Sequence, residues 1–197
     1  MSFVTGTNTE LIYASTAVGI AKNTFTAETA LNDEATMGPQ VYLPAGFWLP
    51  TKAELGKTVG ICASGIFSVA AATTPTYTFT IRAAASEAAT TGPIILGSAA
   101  LTTGSGVSNQ TWRLEGDVVL EGVGTTSGTS TVRGVGQIIS PGTANKIDPV
   151  YGGAASPGTV ATVVQKAANF ITVNVACSAS SASNTITLQQ LLVFGLN

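Results

Sequence analysis

The chain has 197 residues, ten acidic and eight basic side chains, no histidine and 22 glycines, and only 9% of its residues are charged. Without histidine there is no Ser-His-Asp or Cys-His nucleophile, no His-ligated zinc and no imidazole for proton transfer near neutral pH. Catalysis would rest on carboxylates, Tyr, Lys, Cys62 or Cys177 alone, so neither an enzymatic role nor a metal or other cofactor is expected. A net charge of −2 with no cluster of Lys or Arg leaves no electrostatic footprint for nucleic acid or an anionic membrane.

Residues 1–39 are Thr-rich, with weak alternation at Leu11 and Tyr13 and again at Val18 and Ile20, followed by the acidic stretch Glu28–Glu34. They read as an extended N-terminal arm. The first residues lack a basic segment followed by an apolar one, so no secretory signal is expected. Residues 40–197 read as a single β-sandwich domain, a size at which all-β domains commonly remain undivided.

Eight strands are predicted in that domain. Gln40–Trp48 is apolar but broken by Pro44 and Gly46, as in a bent edge strand. In Lys57–Ser68, Val59, Ile61, Ala63 and Phe67 share one face. Thr76–Arg82 alternates strictly, Tyr77, Phe79 and Ile81 against threonines, and Ile94–Thr102 follows. In Thr111–Glu121, Trp112, Leu114, Val118 and Leu120 face a core, while Arg113, Glu115, Asp117 and Glu121 face out. Thr129–Ile139 comes next, after the turn-rich Gly122–Gly128. Ser140–Ala168, rich in Pro and Gly with a short apolar run at Val160–Val164, reads as a long loop. A loop of that length signals either a functional excursion or a missed element. Phe170–Ser178 and Thr185–Phe194 close the chain, with Ile186, Leu188, Leu192 and Phe194 in phase. The longest nearly apolar stretch, Ala63–Ala72, contains Ser64, Gly65 and Ser68 and falls short of a bilayer span.

The candidate chemistry is sparse. Arg113, Glu115 and Asp117 lie two apart on one exposed strand face, which suits a solvated surface better than a carboxylate pair or metal site. The Gly122–Gly128 run has the composition of a phosphate-cradling loop but lies between two strands, with no helix N-terminus to receive an anion. Asn109-Gln110-Thr111 matches a glycosylation sequon, relevant only in a secretory pathway. Cys62 and Cys177 sit at strand centres and read as buried free thiols, with a disulfide as the alternative. Phe47 and Trp48, framed by Pro44 and Pro50, suit packing in a core or interface, or a stacking platform.

More telling is that several strands appear apolar on both faces. Val119, Ile138, Leu191 and Val193 point opposite to the residues assigned to the core, which predicts an oligomer interface. The low charge content points the same way, since interface cores are depleted of charge. A typical domain has about 25% charged residues.

The segments LPAGFW, GKTVGICASGIFS, TYTFTIR, WRLEGDVVLEG and the ending NFITVNVACSASSASNTITLQQLLVFGLN together resemble tailed-bacteriophage virion proteins with a TNF-like jelly-roll domain that assembles as a trimer. The likeness covers about residues 40–197. It implies an eight-stranded antiparallel jelly-roll sandwich preceded by an arm, and a structural role in the virion. The size, without coiled-coil or triple-β-helix repeats, favours a capsid decoration protein over a fibre. It would be made in the host cytoplasm and bind the major capsid protein on the outside of the head, with Leu11 and Tyr13 of the arm and Phe47 and Trp48 as candidate shell contacts. The alternative is a head-fibre or tail-fibre tip that binds a receptor or glycan, which predicts aromatics clustered at one loop end.

Overall fold

The computed structural model describes residues 9–32, 37–38, 40–48, 57–124, 128–141, 145–153 and 159–196. Among these, thirteen strands form one antiparallel sheet, and helix is essentially absent. They are β1 (Thr9–Ala14), β2 (Thr29–Ala30), β3 (Tyr42–Leu43), β4 (Thr58–Ser68), β5 (Thr76–Ala84), β6 (Ile94–Ser98), β7 (Leu101–Thr102), β8 (Gln110–Val123), β9 (Thr129–Pro141), β10 (Asn145–Tyr151), β11 (Ala161–Val164), β12 (Asn169–Cys177) and β13 (Thr185–Leu196). The sheet order is β1-β13-β4-β8-β9-β10-β6-β5-β12-β2, with β11 beside β9, β3 beside β12 and β7 beside β5.

The expected all-β class is therefore correct, but in place of the eight expected strands the described residues form thirteen, hydrogen-bonded into one sheet. The Gln40–Trp48 segment pairs only at β3, because Pro44 and the left-handed Gly46 end the ladder. Ile94–Thr102 divides into β6 and β7. The expected loop Ser140–Ala168 contains β10, antiparallel to β9 from Asn145↔Pro141 to Tyr151↔Val135, and β11, which includes most of the Val160–Val164 run. β1 and β2, from the expected arm, join the same sheet.

This single sheet folds over on itself. The ring centroids of Phe79 in β5 and Trp112 in β8 are 4.8 Å apart, although β9, β10 and β6 separate these strands in the sheet. Phe67 of β4 and Tyr77 of β5 meet edge to face at 5.7 Å. The concave faces thus enclose one core, and alternation places its members: Tyr77, Phe79 and Ile81 from β5, Trp112, Leu114, Val118 and Leu120 from β8, Ile171, Val173 and Val175 from β12. At the bend β6 crosses close over β9. A Cβ on Gly134 would lie 1.8 Å from the Ile95 carbonyl oxygen, so only glycine permits the approach.

One irregularity resets the pattern near the C-terminus. In the β13–β4 ladder Leu188 faces Gly65 but Gln190 faces Ser64, leaving Gln189 as an inserted residue. Such a bulge reverses the inward phase of everything beyond it. Ile186 and Leu188 point into the core before it, and Leu191 and Val193 after it, while Leu192 and Phe194 turn outward.

Candidate interaction surface

The convex side of β13-β4-β8-β9-β10 is the candidate site. Its outward residues align in cross-strand rows. One row runs Gln190, Ser64, Arg113, Ile139 and Ile147; the next runs Leu192, Cys62, Glu115, Gln137 and Pro149; a third runs Phe194, Gly60, Asp117, Val135 and Tyr151. Leu196, Thr58, Val119 and Arg133 form the fourth. Aliphatic side chains stand in solvent here: Ile147 is 63% exposed, Val135 53%, and Leu11 on the neighbouring β1 55%.

Two pairs of opposite charges on this face neutralise one another locally. Arg113 Nη2 lies 2.9 Å from Glu115 Oε2, and Gln137 Nε2 donates to Glu115 Oε1 at 2.7 Å. Arg133 clasps Glu121 through Nε and, at 3.1 Å, through Nη2. The Arg133 guanidinium holds the Glu121 carboxyl below its usual range, and Glu121 in turn raises Arg133. Between the paired charges lies an open groove of about 640 Å3, floored by Gly60, Gly116 and Gly136 and bordered by Cys62, Asp117, Gln137 and Phe194. Gly60, whose missing side chain would stand beside Asp117 Oδ1, Leu196 and Phe194, leaves this depression open. No group of three His, Cys, Asp or Glu among the described residues is placed to hold a metal ion, and no helix among them is long and apolar enough to cross a membrane.

The predicted interface residues are only partly on this surface. Val119 is half-buried on the convex side, opposite Thr58 and Arg133. Ile138, Leu191 and Val193 are fully buried in the chain's own core and form no interface. For Leu191 and Val193 the cause is the Gln189 bulge. For Ile138 it is the β9 phase, in which Arg133, Val135, Gln137 and Ile139 look outward and Val132 and Ile138 inward. The outward apolar residues that the sequence reading passed over are Leu192, Phe194, Leu196, Val135, Ile139 and Ile147. Two signals pointed to them. Arg133 and Gln137 demand solvent and carry Val135 and Ile139 out with them, and the adjacent Gln189 and Gln190, both exposed, mark the inserted residue.

The predicted shell contacts also divide. Leu11 is exposed and lies opposite Phe194. Tyr13 is half-buried against the core, and burial raises its phenol above the usual value. Phe47 is half-buried, with the Lys57 ammonium 4.2 Å from its ring centroid and Trp48 edge-on at 5.0 Å. Trp48 is 1% exposed and belongs to the core, so it is unavailable to a partner. Both cysteines are free thiols: Cys177 is buried as expected, whereas Cys62 is half-buried on the convex face and not in the core. Residues 33–36 of the acidic stretch and 125–127 of the Gly122–Gly128 turn lie outside the described residues.

No protein-family model matches the chain, and no curated protein matches it in sequence.

Proposed function

We propose that this chain is a structural protein of a tailed-phage virion, a capsid decoration protein with a TNF-like jelly-roll domain that binds the outside of the assembled head as a homotrimer. In this reading it has no catalytic role. Its partners are two further copies of itself and the major capsid protein, and it reaches the capsid surface from the host cytoplasm. The observation that carries the reading is the convex face of β13-β4-β8-β9-β10. Exposed Leu11, Val135, Ile139 and Ile147 surround charges already paired within the chain. Aliphatic side chains exposed among internally paired charges on one sheet face suit an association site. A single continuous sheet folded around one core is compatible with a jelly roll.

The mechanism is mass action. A ligand that binds only the assembled shell stabilises it by RT ln(1 + [L]/Kd) at every site, and the sites sum over the particle. The fibre-tip alternative draws on one aromatic pair, exposed Tyr42 with half-buried Phe170 at 5.5 Å on the β3–β12 edge. Solution mass and shell binding separate these outcomes. The purified protein is expected to be trimeric and to add to expanded shells that lack it. A monodisperse monomer that never associates with shells overturns the proposal, and a trimer that ignores shells but retains on glycan supports the fibre tip.

A further inference from the structure

Residues 9–32 occupy both ends of the sheet. β1 pairs with β13, and the chain continues along that edge: Ser15 N–H donates to Leu191 O at 2.9 Å, Gly19 N–H to Leu188 O at 2.9 Å, and Lys22 exchanges main-chain bonds with Ile186 at 2.8 and 3.0 Å. It then crosses to the other layer, where β2 pairs with β12. There Leu31 N–H donates to Val173 O at 2.8 Å, and Asn32 Oδ1 accepts the Val173 N–H at 2.7 Å. Two strands consecutive in sequence thus cover the two opposite edges of one folded sheet. On the β13 side Leu11, Val18 and Ile20 remain exposed while Ile12, Tyr13 and Phe25 lean on the core, and on the β12 side Leu31 is buried in it, so main-chain bonds and a few side chains hold the segment.

At the crossing stands a clasp. Glu28 accepts from Arg82 Nε and Nη2, both at 2.7 Å, and from Thr80 Oγ1 at 2.5 Å, while Arg82 Nη1 donates to Gly92 O at 2.5 Å. Both charged side chains are largely shielded from water, where an ion pair with added hydrogen bonds acts far more strongly than at an open surface. We infer that residues 9–32 are a strap that opens as a unit when the Glu28 clasp loses its charge, baring the edges of β13 and β12.

The surroundings of Glu28 fix the direction. Burial pushes its carboxyl up, but hydrogen bonds from Arg82 and Thr80 and the Arg82 charge outweigh burial and hold it below the ordinary value of 4.5. The groups facing it are Arg82 and Thr80 from β5 and Asn174 from β12, and the loop after β5 carries the exposed Glu87. A carboxylate depressed on folding stabilises above its unfolded value, and the contribution is lost as pH falls through the folded value. The strap is closed at neutral pH and opens in acid.

Hydrogen exchange of the full chain, read peptide by peptide and corrected for intrinsic rates, tests this. At neutral pH Glu28→Gln is expected to speed exchange in residues 9–32 roughly tenfold or more, the factor that one charge-assisted hydrogen bond carries, while β4 and β8 keep their protection. Wild type is expected to show the same selective loss as pH is lowered from neutral to below the carboxylate's ordinary value of 4.5 and through its depressed folded one, and Glu28→Gln to lose that response. Thr80→Val, which keeps the ion pair and removes one bond, should fall between. Unchanged strap protection in Glu28→Gln overturns the inference. So does a loss spread evenly over all strands, in that variant or in wild type at low pH, because the strap then has no opening of its own.

Discussion

The two convex faces of the folded sheet invert the usual relation between polarity and exposure. Outward positions at the middle of β5 and β12 are polar, Thr80, Arg82, Thr172 and Asn174, yet Thr172 and Asn174 are fully buried. They are covered from within the chain: Glu28 reaches Thr80 and Arg82, and Asn174 Nδ2 donates to Thr172 Oγ1 and to Ala89 O. Outward positions of β13, β4, β8, β9 and β10 include Leu192, Val135, Ile139 and Ile147, and the last three stand in solvent. A buried polar group requires partners of fixed geometry, and the chain's own segments supply them for the Asn174 Nδ2 and Thr172 Oγ1 groups, while Asn174 Oδ1 is left without one. Aliphatic surface requires only an apolar neighbour, which another molecule can supply. The covered face serves the fold, and the bare face is the one to which the proposed association is assigned.

The sharpest way to break this contrast is to place one charge on either side of a single strand. Leu191 and Leu192 are adjacent in β13, the first in the core and the second on the convex face. Leu191→Asp buries an unpaired carboxylate at a fully enclosed position and is expected to cost roughly 4 kcal/mol or more, seen as loss of the cooperative melt and of the β-type circular dichroism spectrum. Leu192→Asp should keep both. A folded Leu191→Asp variant would place the inward phase after Gln189 wrongly.

The covered face yields a smaller effect. Thr172→Val preserves shape but leaves Asn174 Nδ2 without its side-chain acceptor. The expected loss is about 1 kcal/mol, read as a lower denaturation midpoint at unchanged m-value. A neutral result would mean that Ala89 O alone satisfies the amide.

How much of this was legible in the sequence follows from where local pattern suffices. The cores of β4, β5, β8 and β12 obey strict alternation, and Tyr77, Phe79, Trp112 and Val173 are buried as that pattern requires. Alternation has no memory of a bulge. One inserted residue at Gln189 exchanged the roles of Leu191 and Leu192, and with them the interface. β10 was hidden because Pro149 and its polar neighbours match no strand template; its pairing with β9 is a long-range choice. The placement of residues 9–32 at both sheet edges depends on the closed fold itself, since nothing in their composition names β13 or β12 as neighbours. Low charge content pointed to an interface without saying where, and which outward face carries exposed aliphatic residues required the register.

The smallest expected effect on stability falls on the bare face, where it matters most for the assembly reading. Val135 and Ile147 contribute outward side chains to β9 and β10 and are more than half exposed, so Val135→Asp combined with Ile147→Asp removes little buried area. Surface changes of this kind fall within about 0.5 kcal/mol, and the melting transition should barely move. If the face is where copies meet, two carboxylates per chain on its β9–β10 side impose desolvation and mutual repulsion on every contact. The double variant is then expected to sediment as a folded monomer where wild type sediments as a trimer. A variant that remains trimeric would move the self-contact off the β13-β4-β8-β9-β10 face and leave that surface to the shell alone.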